Sequence, residues 1–64
     1  MEAKIVLRDQ EFVVKSGMTI RAALKKIDVS AEAVIATRDG ELITDDEIMK
    51  AGDVIKLIAV ISGG

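Results

Sequence analysis

The 64-residue chain has no cysteine, histidine, proline, tryptophan or tyrosine, and Phe12 is its one aromatic residue. Without cysteine there is neither a disulfide to staple a small domain nor a thiolate to hold a metal. An enzyme needs groups of tuned proton affinity, a nucleophile or a metal. Here His and Cys are missing, and Ser16, Ser30 and Ser62 have no base close by in sequence. Charge of one sign is not in excess either: 9 basic residues face 11 acidic ones, for a net charge of −2. A nucleic-acid surface usually carries a basic excess and aromatic stacking platforms, so direct nucleic-acid binding is disfavoured. Long hydrophobic runs are absent too. Leu57 to Ile61 is far too short to cross a bilayer. The start, "MEAKIVLRD", carries charge at Glu2, Lys4 and Arg8 and reads as a strand rather than a signal peptide. Gly17, Gly40 and Gly52 are isolated, each with a turn or cap explanation, so no glycine loop cradles a phosphate. These absences leave a cytoplasmic domain that is not an enzyme by itself, with no metal, no bound cofactor and no membrane partner.

What is present is aliphatic. Half of the residues are hydrophobic, which suits a compact Ile/Val/Leu core and argues against disorder. The length allows one domain, marginal unless it packs well.

"AKIVLR" alternates, with Ala3, Ile5 and Leu7 on one face and Lys4, Val6 and Arg8 on the other, which predicts a half-buried strand. Asp9 and Gln10 turn the chain, and "EFVVK" forms a second strand and a hairpin. Thr19 is the N-cap of a helix, "IRAALKKI", whose Ile20, Ala23, Leu24 and Ile27 share a stripe. Arg21, Lys25 and Lys26 form its solvated face. "AVIAT" and "ELI" are the third and fourth strands, joined by the Asp39-Gly40 turn. Thr44 and Glu47 match a capping box that opens a short helical turn from Asp45 to Lys50, closed by Gly52. Asp45, Asp46 and Glu47 are better explained by the helix dipole than by a metal. "VIKLIAVI" is the last strand.

One helix covers one face of a sheet, so the other face is open. The last strand must lie centrally to bury its apolar residues. Placed beside the first strand, it produces an α+β β-grasp fold, a mixed sheet of about five strands with one main helix. The domain spans 1–61, followed by a flexible tail, 62–64. If Ile55, Leu57 and Ala59 face the helix, then Lys56, Ile58 and Val60 face outward with Lys4, Val6 and Arg8 of the first strand. That apolar patch rimmed by positive charge is the candidate partner dock.

The remaining chemistry lies in "ISGG". An α-carboxylate at Gly64 is ionised at neutral pH and can attack the α-phosphate of ATP. Gly63 lacks a Cβ and passes a narrow channel, and Ser62 joins it in threading the tail.

"VIATRDGELIT" and "KAGDVIKLIAVISGG", together with the length, resemble the ubiquitin-like sulfur carriers of the ThiS/MoaD type over essentially the whole chain. The resemblance implies that Gly64 is adenylated by a ubiquitin-activating-type adenylyltransferase, which uses the ATP, and then becomes a thiocarboxylate. It also implies a sulfur donor (a sulfurtransferase or desulfurase) and a sulfur-accepting synthase or tRNA thiolase. MoaD-type tails tend to carry prolines, which this chain lacks. "IDVSAEAVIATRDGELITDDE" with "ISGG" is similar to the TtuB-like carriers for tRNA 2-thiouridine and to archaeal small modifier proteins, some of which join target-protein lysines. Thiamine thiazole synthesis is the second role implied. A protein modifier, an interaction module with an incidental tail and a designed β-grasp domain remain open.

Overall fold

The computed structural model describes residues 1–60. Five strands, β1 (Glu2–Leu7), β2 (Gln10–Lys15), β3 (Val34–Arg38), β4 (Glu41–Ile43) and β5 (Val54–Ala59), form one sheet in the order β2-β1-β5-β3-β4. β5 lies in the centre, parallel to β1 and antiparallel to β3, while β1–β2 and β3–β4 are antiparallel hairpins. This is the expected mixed β-grasp sheet, with helix α1 (Ile20–Lys26) on one face.

Alternation decides which side of each strand is dry. Ala3 and Ile5 of β1, Val14 of β2, Ala36 of β3, and Ile55 and Leu57 of β5 are buried against Ile20, Ala23 and Leu24 of α1. A seven-residue helix is too short to stand alone in water, so packing of this stripe holds it.

All four leading N–H groups of α1 find acceptors. Ala22 N–H donates to Thr19 Oγ1 at 3.1 Å and Ala23 N–H to the Thr19 carbonyl at 3.0 Å. The other two reach across the chain: Ile20 N–H donates to the Glu47 carbonyl at 2.9 Å and Arg21 N–H to the Asp45 carbonyl at 2.8 Å. This overturns the helical turn expected from Asp45 to Lys50. Carbonyls turned toward α1 are not available to a helix of their own, whatever the capping pattern of Thr44 and Glu47 suggests. The segment forms a turn closed by Glu47 N–H on the Thr44 carbonyl, then a lone antiparallel bridge between Thr19 and Ile48. It carries Met49, fully buried, into the core. Gly52 does have positive φ, at 86°, but it sits in the Lys50–Asp53 turn rather than at a helix end. The second short helical piece occurs instead as a 3₁₀ turn at Ala31–Ala33.

α1 ends in a Schellman motif. Val29 N–H reaches the Leu24 carbonyl at 2.9 Å and Asp28 N–H the Lys25 carbonyl at 3.3 Å. Asp28, at φ 62°, holds the left-handed position that glycine usually fills.

Candidate docking face

The uncovered sheet face is assembled by register. On β5 it presents Val54, Lys56 and Ile58, with Val60 just beyond the strand. β1 contributes Lys4 opposite Val54 and Val6 opposite Lys56. β3 sets Ile35 against Ile58, and β4 sets Leu42 against Thr37. Ile58, Val60, Val54, Ile35 and Leu42 are all exposed. The structure therefore brings Lys4, Val6, Lys56 and Ile58 onto one surface, with Val60 at its edge.

Ile35 and Leu42 were missed from sequence, although the signal was there. A two-residue turn at Asp39-Gly40 pairs Arg38 with Glu41 and so Thr37 with Leu42. That places every second residue of both strands on the open side. Thr37 is buried on this face, and its hydroxyl donates to the Lys56 carbonyl at 2.9 Å.

Arg8 is not on the face. It occupies the two-residue turn between Leu7 and Gln10, with φ 55°, and Gln10 has already joined β2. The turn comes one residue earlier than expected because the Leu7–Gln10 pair closes the hairpin. Ala59 also departs from expectation. Its register with Val34 puts it on the helix side, yet it is exposed because α1 ends before covering it.

The charges differ in how they are held. Lys4 pairs with Glu11 across the hairpin at 3.4 Å, whereas Lys56 has no ion pair among the described residues. On the helix side, Arg21 grips Asp45 through two contacts of 2.9 and 3.1 Å. That hydrogen bond, aided by the opposite charge, raises the Arg21 pKa and lowers that of Asp45. Arg38 reaches Asp53 at 3.0 Å and Glu47 at 3.4 Å, tying β3 to the loop before β5. Among the described residues no group of three or more acidic or histidine side chains is arranged for a metal, and no helix is long and apolar enough to cross a membrane.

β5 carries the chain toward its end. Val60 N–H donates to the Ala33 carbonyl at 2.8 Å. Ser62, Gly63 and Gly64, and with them the expected boundary of the domain at residue 61, lie outside the described residues.

The sequence model of the ThiS family matches residues 2–64. The chain belongs to the ThiS family. It is 31% identical to the sulfur carrier protein TtuB of Thermus thermophilus, over 95% of this chain and 98% of that protein. Solved structures agree on the fold. Ubiquitin of Caldiarchaeum subterraneum superposes with a TM-score of 0.67 at 24% identity, covering 100% of this chain and 98% of the other. SAMP1 of Haloferax volcanii superposes with a TM-score of 0.65 at 19% identity, covering 100% of both. Sulfur carriers of this kind are small carrier proteins rather than catalysts.

Proposed function

We propose that this chain is a sulfur carrier whose working group is the carboxylate of Gly64. The observation that carries the reading is its likeness to the sulfur carrier TtuB along nearly its whole length. An ATP-dependent activating enzyme docks on the open face and takes the end of the chain. A carboxylate oxygen of Gly64 attacks the α-phosphorus of ATP and pyrophosphate leaves. A persulfide carried by a donor protein then attacks the acyl carbon and AMP leaves. A thiol attacks the donor's own sulfur in the resulting acyl disulfide, so that the S–S bond breaks, a disulfide forms on the donor and the thiocarboxylate is released. The sulfur passes to tRNA as 2-thiouridine, with a separate thiolase holding the RNA. The weakly acidic chain then needs no nucleic-acid surface of its own.

Mass spectrometry of the chain incubated with ATP, the activating enzyme and the sulfur donor tests this reading. The expected product is a C-terminal thiocarboxylate, 16 Da heavier than the acid by exchange of oxygen for sulfur (about 32 minus 16). Persistence of the unmodified acid refutes it. In cells, deletion of Gly64 is expected to abolish tRNA 2-thiouridine; a thiamine requirement instead moves the carrier to thiazole synthesis. Gly-Gly remnants on lysines of other proteins reveal a modifier role.

The dock comprises Ile58, Ile35 and Val60 with Val6, Lys56 and Lys4 around them. Ile58→Asp places a carboxylate in its apolar part and is expected to weaken adenylation at least about tenfold, since a desolvated unpaired charge costs more than 1.4 kcal/mol. Unchanged kinetics in a folded variant exclude this face.

A further inference from the structure

Apart from the open face, the structure has a groove of about 570 Å³ at the end of the domain where β5 runs out. It lies on the helix side of the sheet. Leu7 and Val34 floor it because the strands continue past the last turn of α1, and Val29 walls it. Arg8 and Asp9 of the first hairpin turn and Asp28 of the helix end also line it.

Two of these residues break local rules. Arg8 and Asp28 are non-glycine residues with positive φ, 55° and 62°, where side chains are strained. Asp28 also sets a carboxylate at the C-terminal, negative end of the helix dipole, where a cation is favoured. Neither it nor Arg8 nor Asp9 forms an ion pair among the described residues. The helix dipole does not explain an acid at this position.

Reach supplies the other half of the argument, and it rests on the reading of Gly64 above. Four residues, 61–64, separate Val60 from the carboxylate. However they are arranged, they span at most about 13–14 Å. Any protein with its reacting atoms at Gly64 is therefore brought against this end of the domain, beside the groove as well as the open face. Two carboxylates against one guanidinium leave the lining net negative, and its floor is aliphatic.

We infer that the groove is a second contact for the activating enzyme, and that it receives a lysine or arginine side chain. The stem of that side chain lies on Leu7, Val29 and Val34, and its charge is met by Asp9 and Asp28. Long basic side chains bury their stems in this way while keeping the head polar. The domain is then gripped on both faces of the sheet at the end from which the carboxylate is delivered.

The test is ATP–pyrophosphate exchange driven by the full chain, with the enzyme that adenylates Gly64 in the experiment above. Asp28→Lys is expected to raise KM for the carrier about tenfold or more by like-charge contact, with kcat held. Glu41→Lys is the control. It makes the same change of charge on an exposed side chain at the opposite end of the sheet, opposite Arg38 and away from the open face, and it is expected to leave KM within about twofold. Asp28→Gly relieves the backbone strain, so it is expected to raise Tm and still raise KM; a merely structural Asp28 would show the first effect alone. Equal KM for wild type and Asp28→Lys, alongside normal exchange by wild type, overturns the groove and leaves the carrier reading intact. No exchange by wild type overturns both.

Discussion

Arg38 offers the sharpest test of how this small domain holds its non-helical loop. Its guanidinium leaves β3 on the helix side and meets Asp53 Oδ2 at 3.0 Å, Glu47 Oε1 at 3.4 Å and the Ile48 carbonyl at 3.3 Å. The Arg38 and Asp53 side chains are 23% and 19% exposed, so solvent screens the pair only in part. Asp53 also accepts from Lys50 N–H at 2.8 Å, so the same carboxylate organises the turn that launches β5. Arg38→Met removes every one of the guanidinium's polar contacts. Hydrogen bonds to charged groups are worth about 1.5–3 kcal/mol net. Breaking a wholly buried pair costs about 3–5 kcal/mol. Residual exposure keeps this pair below that range. Part of the loss is also returned, because Arg38 Nε is buried without a partner and its desolvation cost of about 1 kcal/mol vanishes with it. The net expectation is a loss of about 2 kcal/mol, a fall in Tm of roughly 8–16 °C for a domain of this size. Thermal unfolding followed by far-UV circular dichroism measures it. Arg38→Met combined with Asp53→Asn is expected to lose less than the sum of the singles, because the two share one interaction. A Tm within about 2 °C of wild type, or strict additivity, refutes the argument.

Met49 is fully buried although its segment lacks regular structure, so Met49→Ala is expected to cost about 2–5 kcal/mol in denaturant unfolding, while Met49→Leu stays below about 1.5 kcal/mol. Asp45 has a lowered pKa in the folded state through its hydrogen bond with Arg21. Its stabilising contribution is complete above the ordinary carboxylate value near 4 and is lost as pH falls through the lowered folded value. Asp45→Asn is therefore expected to reduce stability at neutral pH and to flatten the fall below about pH 4; an unchanged acid profile excludes the link. Gly40→Ala puts a side chain at φ 83° in the hairpin turn and is expected to lower Tm, although a Cβ there meets nothing within 4 Å. A neutral or stabilising result would show that the turn can change type.

Much of the architecture was legible because its signals are local. The alternation of Ala3, Ile5 and Leu7, the helical spacing of Ile20, Ala23 and Leu24, and the Asp39-Gly40 turn each report a backbone geometry within a few residues. The loop 45–50 was misread for the complementary reason. Thr44 and Glu47 satisfy a local capping pattern, but the Asp45 and Glu47 carbonyls are taken by N–H groups more than 20 residues earlier in the chain. Such a competing acceptor role leaves no mark on the loop's own sequence. At the candidate dock, Ile58 and Lys56 followed from alternation on β5, and Ile35 and Leu42 needed the hairpin register to be carried through. Arg8 left the face because a one-residue difference in where the hairpin turns moves a residue from strand to loop.

By itself, the sequence determined what the chain can be made of and what chemistry it can offer. It is an aliphatic sheet-and-helix domain without histidine or cysteine, whose sequence runs into Gly63-Gly64, because composition, period and turn chemistry are properties of neighbouring residues. The tertiary structure decided which surfaces exist. The central placing of β5 sets Lys56 beside Val6 and Ile58 beside Ile35 on the uncovered face. The loop 45–50 surrenders its helix to cap α1. The early end of α1 brings Arg8, Asp9 and Asp28 around a single groove. These outcomes depend on where the first hairpin turn, the end of the helix and the last strand meet in space, which no stretch of the chain encodes alone.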